Sequence, residues 1–206
     1  MPKTVRKYDD KLQLTMEPKE ALERFARINI KDVETEFLAR AANGHKAYPF
    51  VKWVGGKRSI IDELLKRLPK KFGSYYEPFV GGGALFFEIS DSLTKAYLSD
   101  VNLDLILTYK VIQKYLPELI ALLKRHQKNH SEDYYYKIRD RHKLDDHIEI
   151  AARLIYLNKT CYNGLWRVNR KGEFNVPMGS YINPTIFQEK NLQACSKALK
   201  SVTIRF

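Results

Sequence analysis

Tyr75-Tyr76-Glu77-Pro78-Phe79-Val80-Gly81-Gly82-Gly83 is the stretch whose reading decides the fold, taken together with Ala96-Tyr97-Leu98-Ser99-Asp100 downstream. The first segment reads as a short, mostly apolar strand over 75–80 that enters three glycines, and residues 84–89 resume as a helix. The second reads as a strand over 96–99 that delivers an acid at its end. Strand, glycine turn, helix, strand, acid is the opening half of a nucleotide-binding α/β sheet. Glycines at such a turn let the backbone bend sharply and approach a ligand more closely than a side chain permits. Asp100 follows Gly81 by nineteen positions, near the separation at which an acid meets the ribose hydroxyls of a bound nucleotide. The spacing is not G-x-G-x-x-G, which disfavours a dinucleotide. Two readings remain, a nucleoside site and a glycine turn that only connects strand to helix.

Upstream of the strand, Lys52-Trp53-Val54-Gly55-Gly56-Lys57 leads into helical spacing over 60–68, closed by Pro69. Residues 1–47 stand apart as a small helical extension, with one helix opening at Pro18 and a second over 33–42 that stops at Asn43-Gly44. Downstream, helical pattern dominates over 103–115, 117–126, 134–142 and 148–159. Residues 162–181 mix Gly, Asn, Pro and aromatics, and Arg170-Lys171-Gly172 marks a hairpin tip. A last helix is expected over 184–199 and a last strand over 202–206. The domain reading is therefore a cofactor-binding part over 48–102, a helical and hairpin recognition region over 103–199, and a returning core strand over 200–206. Three short strands make a sheet too narrow to bury both faces, as a mostly parallel sheet must.

Composition narrows the class. Of 206 residues 44% are hydrophobic, enough for a packed core, and no run is long enough to cross a membrane. Residues 1–11 lack the apolar centre of a signal peptide, so a cytoplasmic protein is expected. Cys161 and Cys195 carry no zinc or redox spacing and read as buried, reduced thiols; no metal site is expected. The formal charge of +12 is unevenly spread: residues 1–47 hold 10 Lys/Arg against 8 Asp/Glu, and the remainder holds 26 against 16. A polyanionic partner explains such an excess, because each phosphate contact releases condensed counterions.

Two further constellations carry chemistry. In Lys52-Trp53-Val54-Gly55-Gly56-Lys57, a flexible Gly-Gly lets an indole and an ammonium converge on one small ligand; equally, Trp53 fits a core position and Lys57 a solvated helix start. From Leu157 to Pro177, the cations Lys159, Arg167, Arg170 and Lys171 stand against a single acid, Glu173. A hairpin carrying Arg and Asn suits a major groove, since Arg can hold guanine O6 and N7 and Asn can hold adenine N6 and N7. The plain alternative is a surface hairpin with turn-forming amides.

Taken in order, Lys52-Trp53-Val54-Gly55-Gly56-Lys57, Glu77-Pro78-Phe79-Val80-Gly81-Gly82-Gly83, Ser99-Asp100-Val101-Asn102 and Tyr162-Asn163-Gly164-Leu165-Trp166-Arg167 resemble the successive motifs of Dam-type DNA adenine-N6 methyltransferases. Gly172-Glu173-Phe174-Asn175-Val176-Pro177-Met178-Gly179-Ser180-Tyr181 extends the match, which runs from about Tyr48 to Phe206. The resemblance implies an S-adenosylmethionine-dependent, Rossmann-like α/β sheet, incomplete here, with an inserted helical DNA-recognition region carrying a β-hairpin. It implies S-adenosylmethionine contacts for Trp53, Lys57 and Asp100, and a glycine-loop role for Phe79, Gly81 and Gly83. It implies duplex DNA contacts for Lys159, Tyr162, Asn163, Leu165, Arg167, Pro177 and Tyr181, with Arg167 the candidate for a guanine and GATC as the suggested site. Ser180 departs from the pattern, because a basic residue commonly precedes that Tyr.

The larger departure is that Asp-Pro-Pro-Tyr, the family's catalytic motif, occurs nowhere in the 206 residues. An acid and a backbone carbonyl must orient the exocyclic amine toward the methyl group, and the aromatic stacks on the flipped adenine. The expectation is therefore that this chain carries cofactor and DNA contacts but no catalytic residue. A second polypeptide completing the catalytic half, and a catalytically silent DNA-binding protein, are the two alternatives that follow.

Overall fold

A computed structural model describes residues 46–71 and 73–206. The helices expected over 18–26 and 33–42 lie outside the described residues. Three strands, β1 (Ser74–Glu77), β2 (Lys95–Ser99) and β3 (Val202–Arg205), pair in the order β1-β2-β3, both pairings parallel. Among the described residues seven α-helices accompany them: α1 (Ile61–Arg67), α2 (Ala84–Ile89), α3 (Leu103–Lys114), α4 (Leu116–Lys128), α5 (Glu132–Arg139), α6 (His147–Thr160) and α7 (Glu189–Leu199). No helix among the described residues is long and apolar enough to cross a membrane.

The parallel register, Tyr76 beside Tyr97 and Tyr97 beside Thr203, sorts the side chains onto two unequal faces. Ala96, Leu98, Val202 and Ile204 point into the core with Glu77. On the other face none of Ser74, Tyr76, Lys95, Tyr97 or Thr203 is buried, and Tyr76 stacks on Tyr97 with ring centroids 4.7 Å apart. Among the described residues, the narrow sheet expected from the sequence is thus covered on one side, an unusual state for parallel strands.

The core is built on α3 and α6, which pack on each other, while α3 also packs on α7. In α3, Leu105, Ile106, Thr108, Tyr109, Val111 and Ile112 are buried, a wide apolar stripe at helical spacing. In α6, every residue from Ala151 to Asn158 is buried, so this helix is enclosed on all sides. Caps set the helix starts: Asn102 accepts from Leu105 N, Ser131 from Tyr134 N, and Asp146 from Ile148 N and Glu149 N.

Three expectations need correction. The first strand ends at Glu77 rather than 80, because Pro78 and Phe79 turn the chain and only Val80 N returns to the sheet, donating to Ser99 O at 3.0 Å. The last helix starts at Glu189 rather than 184. Residues 184–188 stay non-helical while Ile186 enters the core and the Tyr48 hydroxyl bonds Gln188. The hairpin over 162–181 forms no ladder: only two isolated antiparallel bridges occur, Cys161 with Met178 and Val168 with Phe174. Its tip is where the sequence puts it. Asn169 closes the turn, its Oδ1 accepting from Lys171 N and Glu173 N, and Gly172 N donates to Asn169 O. Pro177, which has no N–H, stands where a ladder would continue.

A compact His/Tyr cluster joins α4, α5 and α6. His126 is buried, bonds Tyr134 Oη through Nδ1 at 2.8 Å and stacks on Tyr156 at 4.8 Å. Burial, aided by Arg141 and Arg125, lowers its pKa to about 4; burial also lowers that of His130, whose Nδ1 bonds Tyr156 Oη. The unfolded chain therefore binds a proton at His126 at a pH where the folded chain does not. Stability is present in full above about pH 6.5 and falls as the pH drops toward 4, by up to about 3 kcal/mol. Urea unfolding between pH 4 and 7 should show this slope, and His126→Gln should flatten most of it; an unchanged slope in the variant would move the effect elsewhere.

Candidate functional site

The glycine turn after β1 is held from two sides. Asp100, at the end of β2, accepts the Gly81 N–H through Oδ2 at 2.9 Å and the Asn102 N–H through Oδ1 at 3.0 Å. The fully buried Tyr109 of α3 donates its hydroxyl to Gly81 O at 3.0 Å. Gly81 has φ +51°, and a Cβ there would lie 2.8 Å from Trp53 Cδ1. The indole of the Lys52–Lys57 segment therefore lies directly on the glycine backbone, an approach that only glycine allows. Gly83, at φ +73°, starts α2 and sits against Tyr109 and Phe87.

Lys57 reaches the same place from the other side. Its Nζ donates to Phe79 O at 3.1 Å and lies 3.0 Å from Glu77 Oε1. That second contact is an ion pair without hydrogen-bond alignment, since Oε1 is buried and makes no hydrogen bond. The other carboxylate oxygen, Oε2, accepts from Tyr75 Oη at 2.9 Å. Burial, with the Glu77 charge added, pushes the Tyr75 hydroxyl far above its ordinary range, so it stays a donor. Trp53, Lys57, Phe79, Gly81, Gly83 and Asp100 thus come together around one loop at the C-terminal ends of β1 and β2. Open α/β sheets bind ligands at that position.

The segment over 162–181 is anchored on α6 and the Cys161–Met178 bridge. Tyr162 N donates to Pro177 O at 2.9 Å, and Gly179 N to Thr160 O at 2.8 Å. Arg167 is exposed and aimed by its neighbour across the turn: Nε donates to Asn175 Oδ1 at 2.8 Å and Nη2 to Asn175 O at 3.3 Å. Tyr162, Asn163 and Pro177 are also exposed, and Leu165 and Tyr181 are half-buried. Lys159 sits apart on the last turn of α6, half-buried, where its charge acts on the buried Cys195 thiol.

Several residues in this arrangement were not singled out from the sequence. Lys52 has its Nζ 5.3 Å from the centroid of the Tyr181 ring. Trp166 stacks on Trp53 with centroids 6.1 Å apart. Asn158 is wholly buried and bonds both to the Lys52 backbone and to Gly164. Asn158 had a signal in the sequence, a lone amide closing the apolar run Ala151-Ala152-Arg153-Leu154-Ile155-Tyr156-Leu157. Tyr109 had none, because nothing local marks which tyrosine in a helix reaches a loop 28 positions earlier.

Comparison with known proteins decides the family. The pattern of D12 class N6 adenine-specific DNA methyltransferases matches residues 53–206. The chain belongs to this family. It is 45% identical over 174 residues to the type II methyltransferase M.MjaIII of Methanocaldococcus jannaschii, covering 76% of this chain and 60% of that protein. To the type II methyltransferase M1.LlaDCHI of Lactococcus lactis subsp. cremoris it is 40% identical, covering 76% and 56%. To the DNA adenine methylase of Escherichia coli (strain K12) it is 36% identical, covering 66% and 49%. The chain spans about half to three fifths of the length of these relatives.

The donors around the glycine turn fit S-adenosylmethionine, the methyl donor that this D12-class membership implies. Asp100 keeps acceptor capacity beyond its two backbone amides, as a ribose diol requires. The Lys57 ammonium is about one-third exposed and can meet a carboxylate. The Trp53 indole, lying against the bare Gly81 backbone, adds an apolar face. Because Asp100 also holds the turn itself, Asp100→Ala should strand the Gly81 N–H and cost about 1–3 kcal/mol of stability. Asp100→Asn keeps an acceptor for that amide and should cost less. Denaturant unfolding with hydrogen exchange at Gly81 checks the order; equal losses would mean that the carboxylate oxygen is not what holds the loop.

Proposed function

We propose that this chain binds S-adenosylmethionine and duplex DNA and contributes both to methylation of adenine N6. What supports the reading is the convergence of Trp53, Lys57, Gly81 and Asp100 at the strand ends, joined through Trp53 and Trp166 to an exposed basic loop. When bound, S-adenosylmethionine supplies an electrophilic methyl group on a sulfonium. Around it, Asp100 accepts the ribose hydroxyls, Lys57 holds the amino-acid carboxylate, and Trp53 excludes water from one face. Phe79, exposed at the turn, and Gly83 complete the glycine-loop contacts. Arg167, oriented by Asn175, reads a guanine. Tyr162, Asn163, Leu165, Pro177 and Tyr181 touch the duplex, and Lys159 a phosphate; GATC is the recognition sequence that the loop suggests. Such a substrate goes with a cytoplasmic location.

Catalysis needs a further contribution. No Asp-Pro-Pro-Tyr occurs in the 206 residues, and the sheet face that no described residue buries carries the stack of an exposed Tyr76 on a half-buried Tyr97. We propose that a second stretch of polypeptide covers this face and supplies the groups that hold the target amine.

DNA affinity should fall steeply with salt. Arg167→Ala should lose about 1–3 kcal/mol on the matched duplex and much less on one substituted at the guanine it reads. Fluorescence anisotropy with matched and single-mismatch duplexes decides it, and equal losses on both would demote Arg167 to a backbone contact.

The 206-residue chain should bind S-adenosylmethionine in a calorimeter yet transfer no labelled methyl group to duplex DNA. A separate polypeptide carrying Asp-Pro-Pro-Tyr should restore turnover. Absence of cofactor binding would overturn the cofactor reading, and robust turnover by the chain alone would overturn the catalytic one.

A further inference from the structure

The segment bearing Trp53 and Lys57 and the loop bearing Arg167 are far apart in sequence, yet one side chain ties them together. Asn158 is fully buried near the end of α6. Its Oδ1 accepts the Lys52 N–H at 2.8 Å, and its Nδ2 donates to Lys52 O at 2.7 Å and to Gly164 O at 3.0 Å. One amide thus saturates both backbone groups of Lys52 and the carbonyl of Gly164.

The packing around this clamp is equally close. Gly164 has φ +64°, and a Cβ there would lie 2.7 Å from both Cβ and Cδ of Lys52. One residue beyond Lys52, Trp53 stacks on Trp166 and touches Gly81; Lys52 itself reaches over the Tyr181 ring. The path from the glycine turn to the recognition loop is therefore continuous: Gly81, Trp53, Lys52, Asn158, Gly164. Each link is a hydrogen bond, a ring contact or a peptide bond. A buried amide with all its partners satisfied tolerates displacement poorly, since losing one bond leaves a buried polar group unpaired.

Building on the cofactor and DNA sites proposed above, we propose that Asn158 is the positioning residue that couples them. Occupancy of the slot at Trp53 and Gly81 fixes the Lys52 backbone. Through Asn158, Lys52 fixes Gly164 and the loop that carries Arg167. Coupling of this kind is reciprocal, so DNA on the loop must tighten the cofactor slot by the same factor.

The test uses the 206-residue chain, S-adenosylhomocysteine as the cofactor probe and a matched duplex. In the unsubstituted chain, saturating duplex should raise affinity for S-adenosylhomocysteine about tenfold, and saturating S-adenosylhomocysteine should raise duplex affinity equally. Asn158→Ala should still bind each ligand alone, with the coupling factor reduced to within about twofold of unity. Coupling that survives in this variant overturns the proposal.

If Asn158→Ala does not fold, hydrogen exchange in the unsubstituted chain decides instead. The Lys52 N–H is held by the Asn158 side chain itself, and the Gly164 and Leu165 amides lie in the loop. S-adenosylhomocysteine alone should slow exchange at Gly164 and Leu165, and duplex alone should slow it at Lys52. Failure of either cross-protection overturns the coupling. Failure of both ligands to bind instead overturns the functional reading beneath it, and the two failures are told apart by the single-ligand titrations.

Discussion

Gly81 is gripped at both of its backbone groups, its N–H by the Asp100 carboxylate and its C=O by the Tyr109 hydroxyl. These two bonds connect three elements that sequence separates: the turn after β1, the end of β2, and the middle of α3. With the peptide fixed, Trp53 has a flat surface to lie on, and the Lys52–Lys57 segment acquires a defined position. That position brings Lys57 to Glu77 and Lys52 to Asn158. A three-residue glycine turn thus organises the whole candidate site, and a site built this way owes its geometry to rigid elements around a loop rather than to the loop alone.

Much of this was legible because it rests on local chemistry. The glycine run after an apolar strand, and the acid at the end of the next, gave the sheet and put Asp100 forward as a site residue; the bond from the Gly81 amide to its carboxylate came only with the structure. Helix positions followed from apolar spacing, whereas the caps Asn102 and Asp146 came only with the structure. The errors have physical causes. Residues 184–188 carry helical-looking spacing, yet Ile186 is drawn into the core by an extended path. The segment over 162–181 has hairpin chemistry at its tip, but Pro177 and the side-chain bonds of Asn169 and Asn175 replace the ladder that alternation would build.

The site itself was readable as a set of residues and unreadable as a set of contacts. Trp53, Lys57 and Asp100 could be named from their motifs, but the sequence left Trp53 divided between core and ligand. In the structure it is half-buried and lies on Gly81, packed against the core with part of the indole open. Lys57 likewise begins a 3-10 turn and also pairs with Glu77. The distant partners of Glu77, Tyr109 and Asn158 were beyond reach. Lys57, Gly81 and Lys52 lie 20 to more than 100 positions from them, and no local pattern encodes a partner at that range.

Trp53 and Trp166 are the two tryptophans of the 206 residues, and they stack on each other. All of the indole emission of this chain therefore originates at one spot, where the glycine turn meets the basic loop. Excitation at the red edge of the absorption band, where tyrosine contributes nothing, turns the protein into its own optical probe. Spectral position, quenching by iodide and polarisation then report the state of that single spot, with no dye attached and no residue replaced.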